Sequence, residues 1–307
     1  MVEQDIKWLL NGPVWLKYAV ERQLLDMPSD IKPVLSDPAI LDIIERLKDK
    51  RQGIQAIPTG FMDADRYENP YWDLFFLADL GLSAAELGIE AEIGSFLKTQ
   101  AADGTIMTEM GMKPSYFCKS MIILSAIARM GYQDDEHIQK LIKIFLRDQR
   151  LDGGWYCNPD HNIGAALQHE PSCPQENLNI LLLLGQYPKY RNNQRFNGAI
   201  DQLLRHWEIR DRGIQIVYFG VGKRYQSLQY PATRYGIIRV LDALSLFPHA
   251  LQQNSFRNML GFVQHKAAGG RYPVESQTPY TQLEPQETHN RLLTFIIRRV
   301  EKRLAEG

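Results

Sequence analysis

Cysteine is scarce: three of 307 residues, Cys118, Cys157 and Cys173, an odd number that cannot pair completely within one chain. A disulfide framework is therefore not expected to hold the fold, and the thiols read as ligands, nucleophiles or buried apolar groups. Long apolar runs are missing too. The longest, "MIILSAIA" and "NILLLLG", fall far short of the ~20 residues that cross a bilayer. The opening segment "MVEQDIKWLLNG" lacks the basic start and apolar stretch of a secretory signal, which predicts a cytoplasmic protein. An excess of either charge is absent, with 35 Lys+Arg against 36 Asp+Glu and a net charge of -1. That balance argues against nucleic-acid or anionic-membrane partners. No stretch alternates apolar and polar residues over a strand length, and no Pro/Ser-rich linker or low-complexity tract divides the chain.

What the sequence does have is helical spacing from end to end. Strongly apolar segments are "YWDLFFLADLG" (71–81), "SYFCKSMIILSAIARMG" (115–131), "ENLNILLLLG" (176–185) and "YPATRYGIIRVLDALSLFP" (230–248). They alternate with amphipathic ones: "LGIEAEIGSFLKTQ" (87–100), "DEHIQKLIKIFLRDQ" (135–149), "QRFNGAIDQLLRHW" (194–207) and "SFRNMLGFVQ" (255–264). A helix apolar on most sides is buried, and one with a single apolar stripe lies outside. The apolar helices end at Gly81, Gly131 and Gly185, where a left-handed cap suits glycine, and at Pro248. The amphipathic ones end in turns that open with glutamine, "QAADG", "QRLDGGW" and "QHKAAGGRY", with a degenerate "WEIRDRG" near Trp207. Neighbouring copies lie about 50–60 residues apart, as in repeat architectures. Segments 13–26, 37–49 and 287–304 complete six inner and five or six outer helices. The pattern predicts an all-α protein: one domain over residues 1–307, an α/α toroid of about six hairpins that buries its core by closing on itself.

Gln149, Asp152, Gly153, Gly154 and Trp155 resemble the Q-x-x-D-G-[GS]-[WF] repeat of squalene/hopene cyclases and protein prenyltransferase β subunits, both α/α toroids. The segments "WLLNGPVWLKY", "NPYWDLFFLADLGL", "CKSMIILSAIARMGYQDD", "DGGWYC" and "YPATRYGIIRVLDAL" are similar to bacterial prenyltransferase/squalene oxidase repeat-like proteins. That resemblance runs nearly end to end. It implies the toroid fold and an apolar, isoprenoid-type substrate, but a fold does not fix a reaction. The chain departs from both families in its chemistry. It lacks the Asp-x-Asp-Asp acid of the cyclases, "FMDADRY" offering only Asp63 and Asp65, and it lacks the Asp-x-Cys zinc spacing of the prenyltransferases.

The cysteines sit at helix starts. Ser115 is a plausible N-cap, placing Cys118 in the first turn of an inner helix. Pro174 suits a first helical position and Glu176 that of a capping glutamate, so Cys173 becomes the N-cap of the next inner helix. Cys157 lies in the loop between. Parallel inner helices would gather all three thiols at one rim, where helix N-termini lower a thiol's pKa. Three sulfurs with His169, or water, meet the four-ligand count of zinc, with His161 as another candidate. An iron–sulfur cluster is the other thiolate-held option, a metal-free nucleophile a third, and inert packing the structural alternative. Asp152, Gly153, Gly154 and Trp155 are assigned to the scaffold.

The depth of an axial space lined by the inner helices would be filled by aromatics such as Tyr71, Trp72, Phe75, Tyr116, Phe117, Tyr235 and Tyr280, which suit a greasy substrate or a carbocation. Arg234 and Arg239 in an apolar helix call for an acidic partner such as Asp242, or a polar ligand group. "YFGVGKRYQ" lacks the preceding strand and third glycine of a dinucleotide site and reads as a loop over the rim. Three functions compete. The first is an enzyme for a hydrophobic small molecule with a Cys-ligated metal, and the second a metal-free cyclase using Asp63 or Asp65. The third is a non-enzymatic toroid that binds a lipid or a protein.

Overall fold

The computed structural model describes residues 3–55, 67–101, 117–156, 171–212, 220–233, 235–284 and 287–307, with the backbone alone at 3 and 117–121. Among these residues there is no β-strand, and most of them are helical.

Among the described residues, twelve helices of eight residues or more make the framework. They are α1 (Glu3–Leu10), α2 (Val14–Gln23), α3 (Pro38–Lys48), α4 (Pro70–Asp79), α5 (Glu90–Leu97) and α6 (Phe117–Ile127). The others are α7 (Glu136–Asp148), α8 (Pro174–Leu184), α9 (Asn197–Glu208), α10 (Ile237–Leu244), α11 (Asn254–Gln264) and α12 (Arg291–Glu306). Every residue of α4, α8 and α10 is buried. The amphipathic helices bury one stripe each, as Ile40, Ile43, Ile44 and Leu47 of α3 show. Local chemistry sets the starts. Asp37 accepts the amide of Ala39 at 2.9 Å before Pro38, and Asp135 accepts that of His137 at 2.9 Å.

The buried helices touch in succession: α4 against α6, α6 against α8, α8 against α10, α10 against α12, and α12 against α2. Trp15 of α2 meets Phe76 of α4 edge-to-face, with centroids 5.4 Å apart. One apolar core extends from Leu9 to Val300. The amphipathic helix α1, an outer element supplied by the chain start, packs on α2 and α12.

A buried ion network ties the C-terminal ends together. Asp79, the last residue of α4, pairs with Arg129 just beyond α6, and with Arg299 of α12 at 3.3 Å. Arg299 also binds Asp242 of α10 at 2.7 Å, and Arg303 binds the same carboxylate at 3.0 Å. Burial disfavours the ionised Asp242, but Arg299 and Arg303 outweigh it and hold the carboxyl below its ordinary value. Burial pulls Arg303 down to about 10, still charged at neutral pH. Near the opposite ends, Arg239 in the first turn of α10 donates to Asn179 of α8 at 2.8 Å and lies over the Trp72 and Phe75 rings of α4. The starts of α4 and α10 lie together and so do their ends, so α4 and α10 run in one direction.

Three expectations need correction. Segment 230–248 is not one helix: α10 begins only at Ile237, after an extended Gly236, because Pro231 offers no amide donor and glycine favours helix poorly. Residues 230–233, 235 and 236 are buried but irregular, with the Tyr230 hydroxyl 2.5 Å from Asp79. Gly81 and Gly131 take left-handed conformations, φ 83 and 106, but Gly185 does not. Closeness favours glycine at 185, since a Cβ there would lie 2.7 Å from Leu246 Cδ1, 3.0 Å from Leu246 Cβ and 3.1 Å from the Leu181 carbonyl. Arg239 does not pair with Asp242, which Arg299 and Arg303 occupy. Tyr280 lies outside the helices, in the loop before α12, and donates to Asp73 at 2.9 Å.

Candidate functional site

The turn after α7 is built as a scaffold. Asp152 accepts the amide and the hydroxyl of Ser172 at 2.8 and 2.7 Å, just ahead of α8. Its pKa falls below the ordinary carboxyl value although burial opposes this, because Ser172 and Gly154 donate to it. Gly153 has φ 86, and a Cβ there would lie 2.8 Å from the backbone of Gly198. Gly153→Ala is therefore expected to destabilise by about 2 kcal/mol or more, from a strained φ plus a backbone clash; urea denaturation checks it. Trp155 is buried, its indole donating to the Phe145 carbonyl at 2.8 Å and its amide to Asn177 Oδ1 at 2.8 Å.

The same arrangement recurs before α12. Gly270 has φ 80, Tyr272 is buried, and the Tyr272 amide donates to Thr294 Oγ1 at 3.1 Å. Trp155 and Tyr272 each reach a side chain 22 residues on. The Cys173 amide donates to the Trp155 carbonyl at 2.8 Å, and the Asn290 amide to the Tyr272 carbonyl at 2.9 Å. Cys173 and Asn290 are thus equivalent N-caps, and Glu176 and Asn179 of α8 correspond to Leu293 and Ile296 of α12. Cys173 is an N-cap, as the sequence predicts, but Glu176 does not close a capping box: the amide it would take goes to Trp155.

Around Cys173 the interior is both polar and aromatic. Glu176 is 0% and Asn179 1% exposed. The Tyr235 ring stacks on His206 of α9, centroids 5.3 Å apart, and lies 4.9 Å from Tyr225. Burial pushes the Tyr235 phenol well above the usual tyrosine value, and Tyr225 and Cys173 add to the shift. Tyr235 is therefore a neutral donor across the physiological range. Arg239 donates to the Ala232 carbonyl at 3.0 Å as well as to Asn179, and so fixes the irregular segment against α8. Trp72 and Tyr235, both expected at the substrate site, are buried here, Trp72 under Arg239 and Tyr235 beside Cys173.

The remaining predicted residues fall elsewhere. Cys118 lies in the first turn of α6, its side chain and that of Phe117 outside the described set. Asp63, Asp65, Ser115, Tyr116, Cys157, His161, His169 and Arg234 lie outside the described residues. Among the described residues no group of three or more His, Cys, Asp or Glu side chains is placed to hold a metal. No described helix is long and apolar enough to cross a membrane. Sequence reasoning did not single out Glu176, Asn179 or His206 as candidate site residues; an acid and an amide inside the apolar run "ENLNILLLLG" were the available signal for the first two. No protein-family model matches the chain, and no curated protein matches it in sequence.

Proposed function

We propose that this chain is a one-domain α/α toroid enzyme that acts on a hydrophobic, isoprenoid-type small molecule. Its substrate would lie at the N-terminal ends of the buried helices, beside a thiolate-bound metal, zinc in preference to iron–sulfur. The succession of contacts from α4 through α12 to α2 supports the closed arrangement. The observation that carries the site is the buried group at the start of α8 and α10: Cys173, Glu176, Asn179, Tyr235 and Arg239, set among Trp72, Phe75 and Tyr225. Polar groups are kept out of an apolar core unless they serve a purpose, and clusters of this kind are where sites lie.

The ligands would be Cys118, Cys157, Cys173 and His169. Two features fit a thiolate metal. Cys173 stands at the amide end of α8, which favours the ionised sulfur. Helices α6 and α8 pack together, and Cys118 is in the first turn of α6. When bound, zinc supplies Lewis acidity or an activated water. The chain's own residues supply the rest. Tyr235 holds a proton to donate, the faces of Trp72 and Phe75 favour positive charge, and Arg239 with Asn179 keeps the walls in place. Protein purified without oxygen is expected to carry about one zinc per chain, and the Cys118→Ser/Cys173→Ser variant to carry none. Metal-free wild-type protein would leave the lipid- or protein-binding toroid as the better reading.

A further inference from the structure

We propose that α1 is a detachable strap. Seated on α2 and α12, it covers the seam where those two helices meet. It leaves and returns without the rest of the molecule unfolding, and its bared seat takes an amphipathic helix with an acid and an aromatic residue three positions apart.

The duplicated turn shows which place α1 fills. A Cβ on Gly153 would lie 2.8 Å from the backbone of Gly198, in the first turn of α9. The counterpart Gly270 meets α1 instead: a Cβ there would lie 2.8 Å from the Asp5 carboxylate. Helix α1 therefore stands to α12 as α9 stands to α8, an outer helix set against the turn that precedes an inner one. The connection differs. Helix α9 follows α8 through residues 185–196, whereas Arg291 of α12 reaches Trp8 of α1 from 283 residues away.

The attachment is thin and largely polar. Helix α9 buries Ala199, Ile200, Leu203, Leu204, His206 and Trp207. From Gln4 to Leu10, only Asp5 and Leu9 are buried. Three arginines hold the rest. Arg298 donates to Asp5 at 2.7 Å and to the Gly270 carbonyl at 2.7 Å. Both members of that ion pair are largely buried, so desolvation offsets much of their attraction. Arg271 and Arg291 lie over the Trp8 ring, 4.5 and 4.6 Å from its centroid, and Arg291 donates to the Trp8 carbonyl at 3.3 Å. Few buried apolar contacts mark a segment that opens ahead of the core. A helix of eight residues does not persist alone in water, so α1 is helical only where it is seated. Asn11, Gly12 and Pro13 join it to α2, a turn sequence about which it swings.

Hydrogen exchange of the full-length protein, followed fragment by fragment by mass spectrometry, tests the strap. Amides of α1 are expected to exchange about 100-fold or more faster than those of α9, as for a segment that opens locally. Asp5→Asn and Trp8→Ala should each speed α1 about 10-fold further, the scale of a lost charge-assisted or cation–π contact, and leave α9 unchanged. A fluorescent peptide of residues 1–12 should bind the full-length Asp5→Asn/Trp8→Ala variant, whose own strap is weakened. Adding Arg298→Met to that variant should abolish the binding. Equal exchange in α1 and α9 of the wild type would overturn the proposal whether or not the variants fold. Variants that speed both helices alike would also overturn it, by making α1 a fixed part of the core. Fast α1 exchange with no peptide uptake, or uptake indifferent to Arg298→Met, would show that the seat is not a helix-binding groove and overturn it too.

Discussion

Arg299→Met is expected to cost about 3–5 kcal/mol in urea denaturation, the usual penalty for removing one partner of a buried ion network. In a chain of this length that corresponds to a fall in Tm of about 5–8 °C. The guanidinium is 6% exposed and binds Asp242 through two nitrogens, at 3.0 and 2.7 Å, while also reaching Asp79. Methionine fills similar volume but leaves two carboxylates in the core with less compensating charge. The double variant Arg299→Met/Asp242→Leu should recover part of the loss, because the stranded charge goes with its partner. A cost under about 1 kcal/mol for Arg299→Met would mean that the network does not clamp the helix ends.

The pH dependence follows in sign. The folded pKa of Asp242 is lowered from 3.8, so its contribution is fully present above that value and lost as pH falls through the lower folded one. Asp73 and Glu284 have folded pKa values raised by burial, so their contributions are present at low pH and lost as pH rises through those values. Acidification from neutrality to pH 4 should therefore cost little through these three groups, and the Asp242 contribution should collapse only below 3.8. Urea midpoints at pH 7, 5, 4 and 3 measure this; a steep loss between pH 7 and 5 that Asp242→Asn abolishes would contradict it.

Trp155→Ala should be comparably damaging, about 3–5 kcal/mol. The indole is 2% exposed, packs near Phe196 with centroids 6.3 Å apart, and satisfies the carbonyl of Phe145 in the last turn of α7. Removing it opens a cavity between hairpins and strands that carbonyl. Trp155→Phe keeps most of the packing and loses the hydrogen bond, for about 1–2 kcal/mol beyond the smaller ring. A Trp155→Ala variant within 1 kcal/mol of wild type would show that the repeated turn is surface decoration.

Much of this was legible in the sequence because the signals are local. Periodicity placed the helices, Asp37 with Pro38 and Asp135 marked starts, and Pro174 fixed Cys173 as an N-cap. What was not legible depends on partners far along the chain. Arg299 finds Asp79 from 220 residues away, and Arg239 finds Asn179 from 60. The apolar pattern of "YPATRYGIIRVLDAL" looks helical throughout, yet Tyr230 is held by Asp79 and Thr278 rather than by a helical turn. Glu176 was misread for the same reason: a glutamate three residues after an N-cap is a capping signal until the Trp155 carbonyl claims the amide.

We propose a thiolate-bound metal beside an apolar interior at the start of α8. X-ray absorption at the zinc edge of the purified protein tests it most directly. The expected result is a four-coordinate zinc with sulfur neighbours at about 2.3 Å and a lighter oxygen or nitrogen ligand at about 2.0–2.1 Å, the sulfur count falling in Cys173→Ser. A shell of oxygen and nitrogen alone, or a sulfur count unchanged by Cys173→Ser, would contradict it.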